Sequence, residues 1–166
     1  MEILAKKQFK FQYQALGIYQ ILGSLVGFVL FFNLINHQGW SVVQSLALDI
    51  ILLLFNIFSL ICGVLCLKFK DGALSFSTIN QVLQLLGFGV GSFLYVYASG
   101  IHFSIIYNFN KSDVLDYKFG VSKMFLQFNT KVNIDFIQVN LIALAIIILI
   151  GILQQKIRKY NNPEIL

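Results

Sequence analysis

The sequence predicts an α-helical integral membrane protein: a four-transmembrane-helix bundle with a small antiparallel β-segment in the long outer loop between helices 3 and 4. Three observations lead to this prediction. The chain has 166 residues, of which 58% are apolar and only 11% are charged, whereas a soluble domain averages about 25% charged residues. Four apolar stretches are long enough to cross a bilayer. Apolar and polar residues alternate strictly between the last two of these stretches.

The four apolar stretches approach or exceed the roughly 20 residues that a helix needs to cross the hydrocarbon core. They are residues 15–35, 46–67, 78–99 and 137–153. Each lacks the one-sided apolar stripe of a soluble amphipathic helix. We therefore expect a single membrane domain over residues 1–166.

The basic residues near the ends of these stretches predict the orientation, because cytoplasmic loops carry an excess of Lys and Arg. Eight of the twelve basic residues lie at the N-terminus, in the second loop and in the C-terminal tail: Lys6, Lys7, Lys10, Lys68, Lys70, Lys156, Arg158 and Lys159. We expect a multi-pass protein of the bacterial inner (plasma) membrane with both termini cytoplasmic. The net charge of +5 is then a topology signal, and no nucleic-acid partner is expected.

The predicted β-segment covers about residues 101–134, where apolar residues recur at every second position. NKSD, residues 110–113, supplies turn residues between two such runs. The parity of the pattern changes near Ser122 and Lys123, which predicts a turn or bulge there. Because large apolar patches usually mark interaction sites, we expect the aromatic face of this segment to bind a partner protein. Its candidate residues are Phe103, Tyr107, Phe119 and Phe128.

Glycine recurs at every second position in LLGFGVGS, residues 85–92. A phosphate-binding loop would need these glycines in a turn beside a basic residue, and no lysine is near. An ion filter of the potassium-channel type would need a hydroxyl residue before GFG, where this chain has leucines. We interpret four glycines as the small residues that allow helices to pack closely in lipid: Gly23, Gly27, Gly87 and Gly91.

Polar residues within the spans are few. Asp49 is the clear ionisable one, and a candidate polar cluster at the outer side consists of Asn33, Asp49, His102 and Asn140. The alternative is that each of these residues separately meets lipid headgroups or caps a helix end. Deeper amides such as Gln20 and Asn56 are expected to form interhelical hydrogen bonds.

No catalytic motif is present, so we predict that the protein is not an enzyme. Cys62 and Cys66 lie four residues apart within one apolar run, where neither a disulfide framework nor a zinc site is expected. No cofactor or metal ion is predicted.

Two stretches, LGIYQILGSLVG at 16–27 and LSFSTINQVLQ at 74–84, resemble small, uncharacterised four-span membrane proteins of bacteria. The resemblance implies a four-span architecture and carries no activity or functional residues. Four helices with an outer sheet are also similar in architecture to the claudins, whose sheet draws mainly on the first loop.

The leading interpretation is a non-enzymatic membrane subunit or scaffold, which packs through its glycine-rich helix faces and binds a partner protein through its outer β-segment. We expect the protein to contact membrane lipids and to form a homo-oligomer or to be a subunit of a larger membrane complex. The alternative is a small oligomeric pore, transporter or membrane-disrupting effector. A pore would need a continuous polar stripe, and the third span has no polar residue from 85 to 91.

Overall fold

The computed structural model describes residues 9–38, 43–110, 114–128 and 135–161. Helix α1 spans Lys10–Gln38, α2 spans Val43–Leu67 and α3 spans Ala73–Leu85. The strands that follow are β1 Leu86–Val90, β2 Phe93–Asn108, β3 Leu115–Gln127 and β4 Phe136–Asn140. Helix α4, Leu141–Asn161, comes last.

The chain is a mixed α/β fold with a four-stranded antiparallel sheet, so the predicted four-helix membrane bundle is wrong. The main error lies in the third predicted span, residues 78–99: α3 ends at Leu85, and β1 and the start of β2 occupy the rest. The fourth predicted span, residues 137–153, begins in β4. Within the described residues, three helical segments are long and apolar enough to cross a membrane: Lys10–Asn33, Ala47–Leu67 and Leu141–Tyr160.

A tight hairpin explains why the third helix stops where it does. Val90 pairs with Phe93 across a two-residue turn, and Gly91 in that turn has a φ of +56°, which residues with a Cβ rarely adopt. Gly followed by Ser between apolar runs is a hairpin signal. The flanking residues are mostly aromatic or β-branched and favour strands. Apolar content alone does not separate a buried strand from a helix.

The predicted β-segment corresponds to the hairpin of β2 and β3, which pair antiparallel from Leu94↔Gln127 to Tyr107↔Leu115. The strand order is β1-β4-β2-β3, so the sheet extends beyond the segment that the sequence predicted. The expected irregularity near Ser122 is confirmed. The pairing shifts register there, and Ser122 has a φ of +49°. Residues 129–134, the end of the predicted segment, lie outside the described residues.

Strand β2 bends sharply at this irregularity. Its first residues pair with β1 and its last residues pair with β4, while β1 and β4 are antiparallel to each other. A straight β2 cannot satisfy all three pairings. The bend brings Val96 and Ile106 into one buried cluster with Phe136, although a straight strand would separate the first two by about 33 Å. Gly100, with a φ of +101°, permits the bend, and the sheet curls around a concave face.

Two apolar clusters define the two ends of the helical layer. At the first end, the start of α1, the end of α2, the start of α3 and the second half of α4 meet around Tyr13, Cys66, Leu74 and Ile150. At the other end, α1 and α2 meet the sheet around Phe31, Leu52, Tyr97 and Met124. We call these the basic end and the far end. The described basic residues at the helix ends belong to the basic end: Lys10, Lys68, Lys70, Lys156, Arg158 and Lys159.

Candidate functional site

The helical layer has a polar interior and an apolar exterior, the reverse of a soluble protein. The buried polar side chains, each at most 2% exposed, form what we call the polar core: Gln20, Ser24, Asn56, Ser59, Ser77, Asn80, Gln81, Gln84 and Ser99. Large apolar side chains face outward, for example Leu22 (57% exposed), Leu54 (55%) and Ile148 (55%). Such an exterior is suited to lipid, because contiguous exposed apolar surface is rare on soluble proteins.

Helix α3 contributes the most polar face of this interior. Four residues with the spacing i, i+3, i+4 and i+7 share one side of the helix: Ser77, Asn80, Gln81 and Gln84, all buried. On the other side, Phe76, Ile79 and Val82 are exposed. The short helix therefore turns its amides toward its neighbours and its apolar side chains outward.

Hydrogen bonds connect the polar core between elements. Asn80 Nδ2 donates to Ser59 Oγ in α2 at 3.1 Å, and the Ser59 hydroxyl lies 3.3 Å from that of Ser99 in β2. The Ser99 amide donates to Gln84 Oε1 at 2.8 Å. These bonds hold α2, α3 and the sheet to one another.

Interhelical hydrogen bonds are expected for both Gln20 and Asn56, and of these two only Gln20 forms one among the described residues. Ser77 Oγ of α3 donates to Gln20 Oε1 of α1 at 3.2 Å, so the prediction for Gln20 is confirmed. Asn56 Nδ2 donates to the Leu52 carbonyl of its own helix at 3.0 Å and to Met124 Sδ of β3 at 2.7 Å. Asn56 therefore bonds the sheet rather than a neighbouring helix.

Several buried atoms of the polar core have no hydrogen-bond partner within the described residues: Gln20 Nε2, Asn56 Oδ1, Asn80 Oδ1, Gln81 Nε2, Gln81 Oε1 and Gln84 Nε2. Leaving a buried polar group unpaired costs about 1–3 kcal/mol, so most such groups in proteins are paired. These amides are neutral donors and acceptors, which are suited to water or to an uncharged hydrogen-bonding solute.

The two predicted packing glycines of α1 do lie at close contacts, but only one of them faces a helix. A Cβ on Gly23 would lie 2.6 Å from the Gly100 amide nitrogen, so Gly23 packs against β2. A Cβ on Gly27 would collide with the Asn56 side chain of α2. The glycines of α1 therefore allow close contact both with the sheet, at Gly23, and with α2, at Gly27.

The assignment of Gly87 and Gly91 to helix packing is corrected by the structure, because neither residue is in a helix. Gly87 lies in β1, where a Cβ would be 2.7 Å from the Gln138 side chain of β4. Gly91 forms the hairpin turn, and a Cβ there would meet nothing within 4 Å. Helices α1 and α2 also make a close contact that the sequence did not predict, at Gly17 and Gly63. A Cβ on either glycine would lie 2.8 Å from the other's carbonyl oxygen.

The structure does not bring together the four residues of the predicted polar cluster. His102 and Asn140 are buried in the sheet, and Asn140 pairs with Ser104, two residues beyond His102. Tyr19 donates to the Ile101 carbonyl at 3.0 Å, which places His102 beside the first half of α1.

Asn33 and Asp49 lie elsewhere, toward the far end of the helical layer. Asn33 is about 20 Å beyond Tyr19 along α1, at 1.5 Å per residue, and Asp49 is in the first part of α2.

The two residues in the sheet have separate surroundings. Asn140 Oδ1 accepts the Ile142 amide at 3.1 Å and so caps the start of α4. Burial and the nearby Lys123 lower the pKa of His102.

The predicted aromatic face is divided between two parts of the sheet. Phe103 and Phe119 are opposite one another in the β2–β3 pairing, and Tyr107 continues the same face along β2. Phe128 instead contacts Phe93 near the first hairpin, with ring centroids 4.6 Å apart. Three of the four predicted residues therefore share a surface, and Phe128 lies apart from them.

Strand β3 lies at the edge of the sheet. Its second half is covered by helices: Ser122 Oγ donates to the Gly23 carbonyl at 3.3 Å, and Met124 contacts Asn56. Its first half, Leu115–Val121, has no described strand on its outer side, and we call it the β3 edge segment. Its apolar side chains are 54–73% exposed: Leu115, Tyr117, Phe119 and Val121.

The concave face of the sheet holds a cavity of about 300 Å³. Its floor is apolar, and its rim includes Asp116, Lys118 and Lys123. Burial and the neighbouring Lys118 lower the pKa of Lys123, and Asp116 opposes this effect. A second, apolar groove of about 550 Å³ lies between the first part of α1 and helix α4.

Within the part of the chain that the structure describes, no three His, Cys, Asp or Glu side chains come close enough to hold a metal ion. Cys62 and Cys66 are buried free thiols.

No family model matches this chain, and no curated protein or solved structure matches it.

Proposed function

We propose that the chain is a non-enzymatic membrane subunit that binds another protein chain through the β3 edge segment. The observation that carries this proposal is the exposure of that segment, which combines a strand edge that no described strand covers with a row of exposed apolar side chains. The helices of the subunit lie in the bilayer, with the polar core inside and the apolar side chains against lipid.

A free strand edge favours a protein partner over lipid alone. Its unpaired N–H and C=O groups can form main-chain hydrogen bonds with an added strand, whereas lipid tails offer none. The alternating apolar side chains would supply the contact area for the same partner. The row of exposed apolar side chains beside Asp116 and Lys118 forms a surface of the kind that usually marks an interaction site.

The orientation follows from the grouping of basic residues at one end of the helical layer. Because Lys and Arg are retained on the cytoplasmic side, the basic end faces the cytoplasm and the far end faces outward.

Cysteine labelling tests this orientation. A cysteine in place of Ser92, at the β1–β2 turn, should react with a membrane-impermeant maleimide added to intact cells. A cysteine in place of Tyr160 should react only after lysis. The opposite pattern would contradict the orientation.

The partner site is tested by native mass spectrometry of the protein extracted in mild detergent. The wild-type chain should be recovered in a complex, and Phe119→Ser should release it as a single chain. Phe128→Ser is a matched control, since Phe128 is also an exposed aromatic residue but lies outside the edge segment. A wild-type chain that is always recovered alone, or equal losses in both variants, would contradict the proposal.

A second candidate, a small pore or transporter, is favoured by one observation: the unpartnered amides of the polar core. We rank it lower because apolar clusters lie at both ends of the helical layer, so the described polar residues do not form a continuous path. Flux of small uncharged solutes into liposomes that contain the purified protein would support this candidate. The flux should then fall in Gln81→Met.

A further inference from the structure

We propose that the partner at the β3 edge segment is a second copy of this chain, joined by antiparallel pairing of the two β3 strands about a two-fold axis through Tyr117. This inference rests on the proposed function, which requires only that the edge segment bind some protein chain.

The sequence of the edge segment is self-complementary about Tyr117. In an antiparallel pair centred there, Asp116 lies opposite Lys118 of the second copy, and the two-fold axis generates this pair twice. Leu115 lies opposite Phe119 of the second copy. Opposite charges and apolar side chains that face each other across strands stabilise a sheet.

Neighbouring registers lack this complementarity. An axis through Asp116 would place two aspartates opposite each other, and an axis through Lys118 would place two lysines opposite each other. Like charges directly opposite are destabilising. Charge therefore selects the register at Tyr117, in the way that side-chain pattern usually fixes strand register.

The local contacts of Asp116 and Tyr117 are compatible with this pairing. The Tyr117 amide donates to the Asp116 carboxylate at 2.8 Å, and both residues are exposed. On pairing, Asp116 exchanges this amide for the ammonium of Lys118 of the second copy. The helices that cover the second half of β3 at Ser122 and Met124 limit the pairing to the first half of the strand.

Disulfide trapping in lipid nanodiscs tests the geometry. Tyr117→Cys should form a disulfide-linked dimer, because residues at the two-fold axis have Cα atoms within the 4.4–6.8 Å that a disulfide needs. Val121→Cys is the matched control. It is on the same exposed strand, but the two copies of residue 121 would be about 26 Å apart along the pair. Native Cys62 and Cys66 are buried and should contribute little background. Equal trapping at positions 117 and 121 would overturn the register.

A charge exchange tests the complementarity. Asp116→Lys and Lys118→Asp should each weaken the dimer by about tenfold or more, since each creates two like-charge pairs. The double variant, Asp116→Lys with Lys118→Asp, should restore the wild-type dissociation constant. A double variant as weak as the singles would overturn the proposal.

The two proposals fail differently. A chain recovered only with a different protein, in a complex that Phe119→Ser disrupts, would overturn the self-pairing and leave the proposed function intact. A wild-type chain that remains a monomer in native lipids would overturn both.

Discussion

At the scale of single residues, Gly17 and Gly63 determine how closely α1 and α2 approach. An added methyl group at either position meets backbone of the other helix, which cannot move aside as a side chain can. Gly151 in α4 has no atom within 4 Å of such a group. The three positions are chemically identical and differ only in their surroundings.

We therefore expect Gly63→Ala to lower the free energy of unfolding by about 1–3 kcal/mol, the usual effect of forcing extra atoms into a packed contact. Gly151→Ala should be neutral or slightly stabilising, because alanine favours a helix. Unfolding midpoints in the same detergent would compare the two variants. Equal stability of the two would contradict the close contact between α1 and α2.

Asp135 connects three parts of the sheet. Its carboxylate accepts the Gly91 amide at 2.8 Å and the Asn110 side chain at 2.7 Å. These bonds lower the pKa of Asp135 from its ordinary value of 3.8. A carboxyl group whose pKa is lowered on folding stabilises the fold above its unfolded pKa, and this contribution is lost as the pH falls through the folded pKa.

Asp135→Asn should thus be less stable than the wild type at neutral pH. The difference should persist down to about pH 4 and fade at lower pH, as Asp135 of the wild type becomes protonated. Thermal unfolding of both proteins across this range measures the difference. A difference that stays constant to about pH 2 would show that the carboxylate charge does not contribute.

At the scale of elements, α3 shows what the sequence predicts and what it leaves open. Composition and apolar run length identified α1, α2 and the helical part of α4, because these long runs suit a helix in lipid. The same measure treated residues 86–99 as a continuation of α3. The turn at Gly91 and Ser92 was a readable signal. The bend of β2 at Gly100 depends on pairings between residues far apart in the sequence, and period and composition do not carry that information.

The candidate site follows the same division between local and distant information. Alternation predicted the β2–β3 hairpin and the irregularity at Ser122, because both arise from neighbouring residues. How the sheet packs against α1 decides which residues of the candidate polar cluster lie together. The structure does not bring together His102, Asn140, Asn33 and Asp49, and Asn140 caps a helix start, as the alternative allowed. The contact of Gly17 with Gly63 also depends on helix packing, which pairs positions on different helices.

Gln81 and Gln84 both lie on the polar face of α3 but differ in their hydrogen bonding, so substitutions at the two positions can be compared. Both polar side-chain atoms of Gln81 lack a partner within the described residues, whereas Gln84 accepts the buried Ser99 amide. Gln81→Met should be neutral or stabilising, because it removes unsatisfied groups. Gln84→Met should cost about 1–3 kcal/mol, because it leaves the Ser99 amide unpaired. Unfolding of the two variants in lipid nanodiscs measures both effects. If Gln81→Met were the more destabilising of the two, Gln81 would have a partner that the described residues do not supply.

At the scale of the whole molecule, polar and apolar residues are distributed as a membrane environment requires. The helical layer buries its amides and exposes its apolar side chains, and its described basic residues at the helix ends group at one end. Part of the sheet packs beside the middle of α1, and β3 is an edge strand among the strands that the structure describes. A bilayer around the helices and a second chain at the β3 edge segment would remove both exposed apolar surfaces from water.

The accessibility of nitroxide spin labels in lipid bilayers measures whether the outward helix faces contact lipid. Labels in place of Leu22, Leu54 and Ile148 should collide readily with oxygen and be shielded from a water-soluble nickel chelate. A label in place of Tyr160, exposed at the basic end, should show the opposite preference. Labels at the first three positions that are as accessible to the nickel chelate as the label at position 160 would place these helices in water and contradict the account.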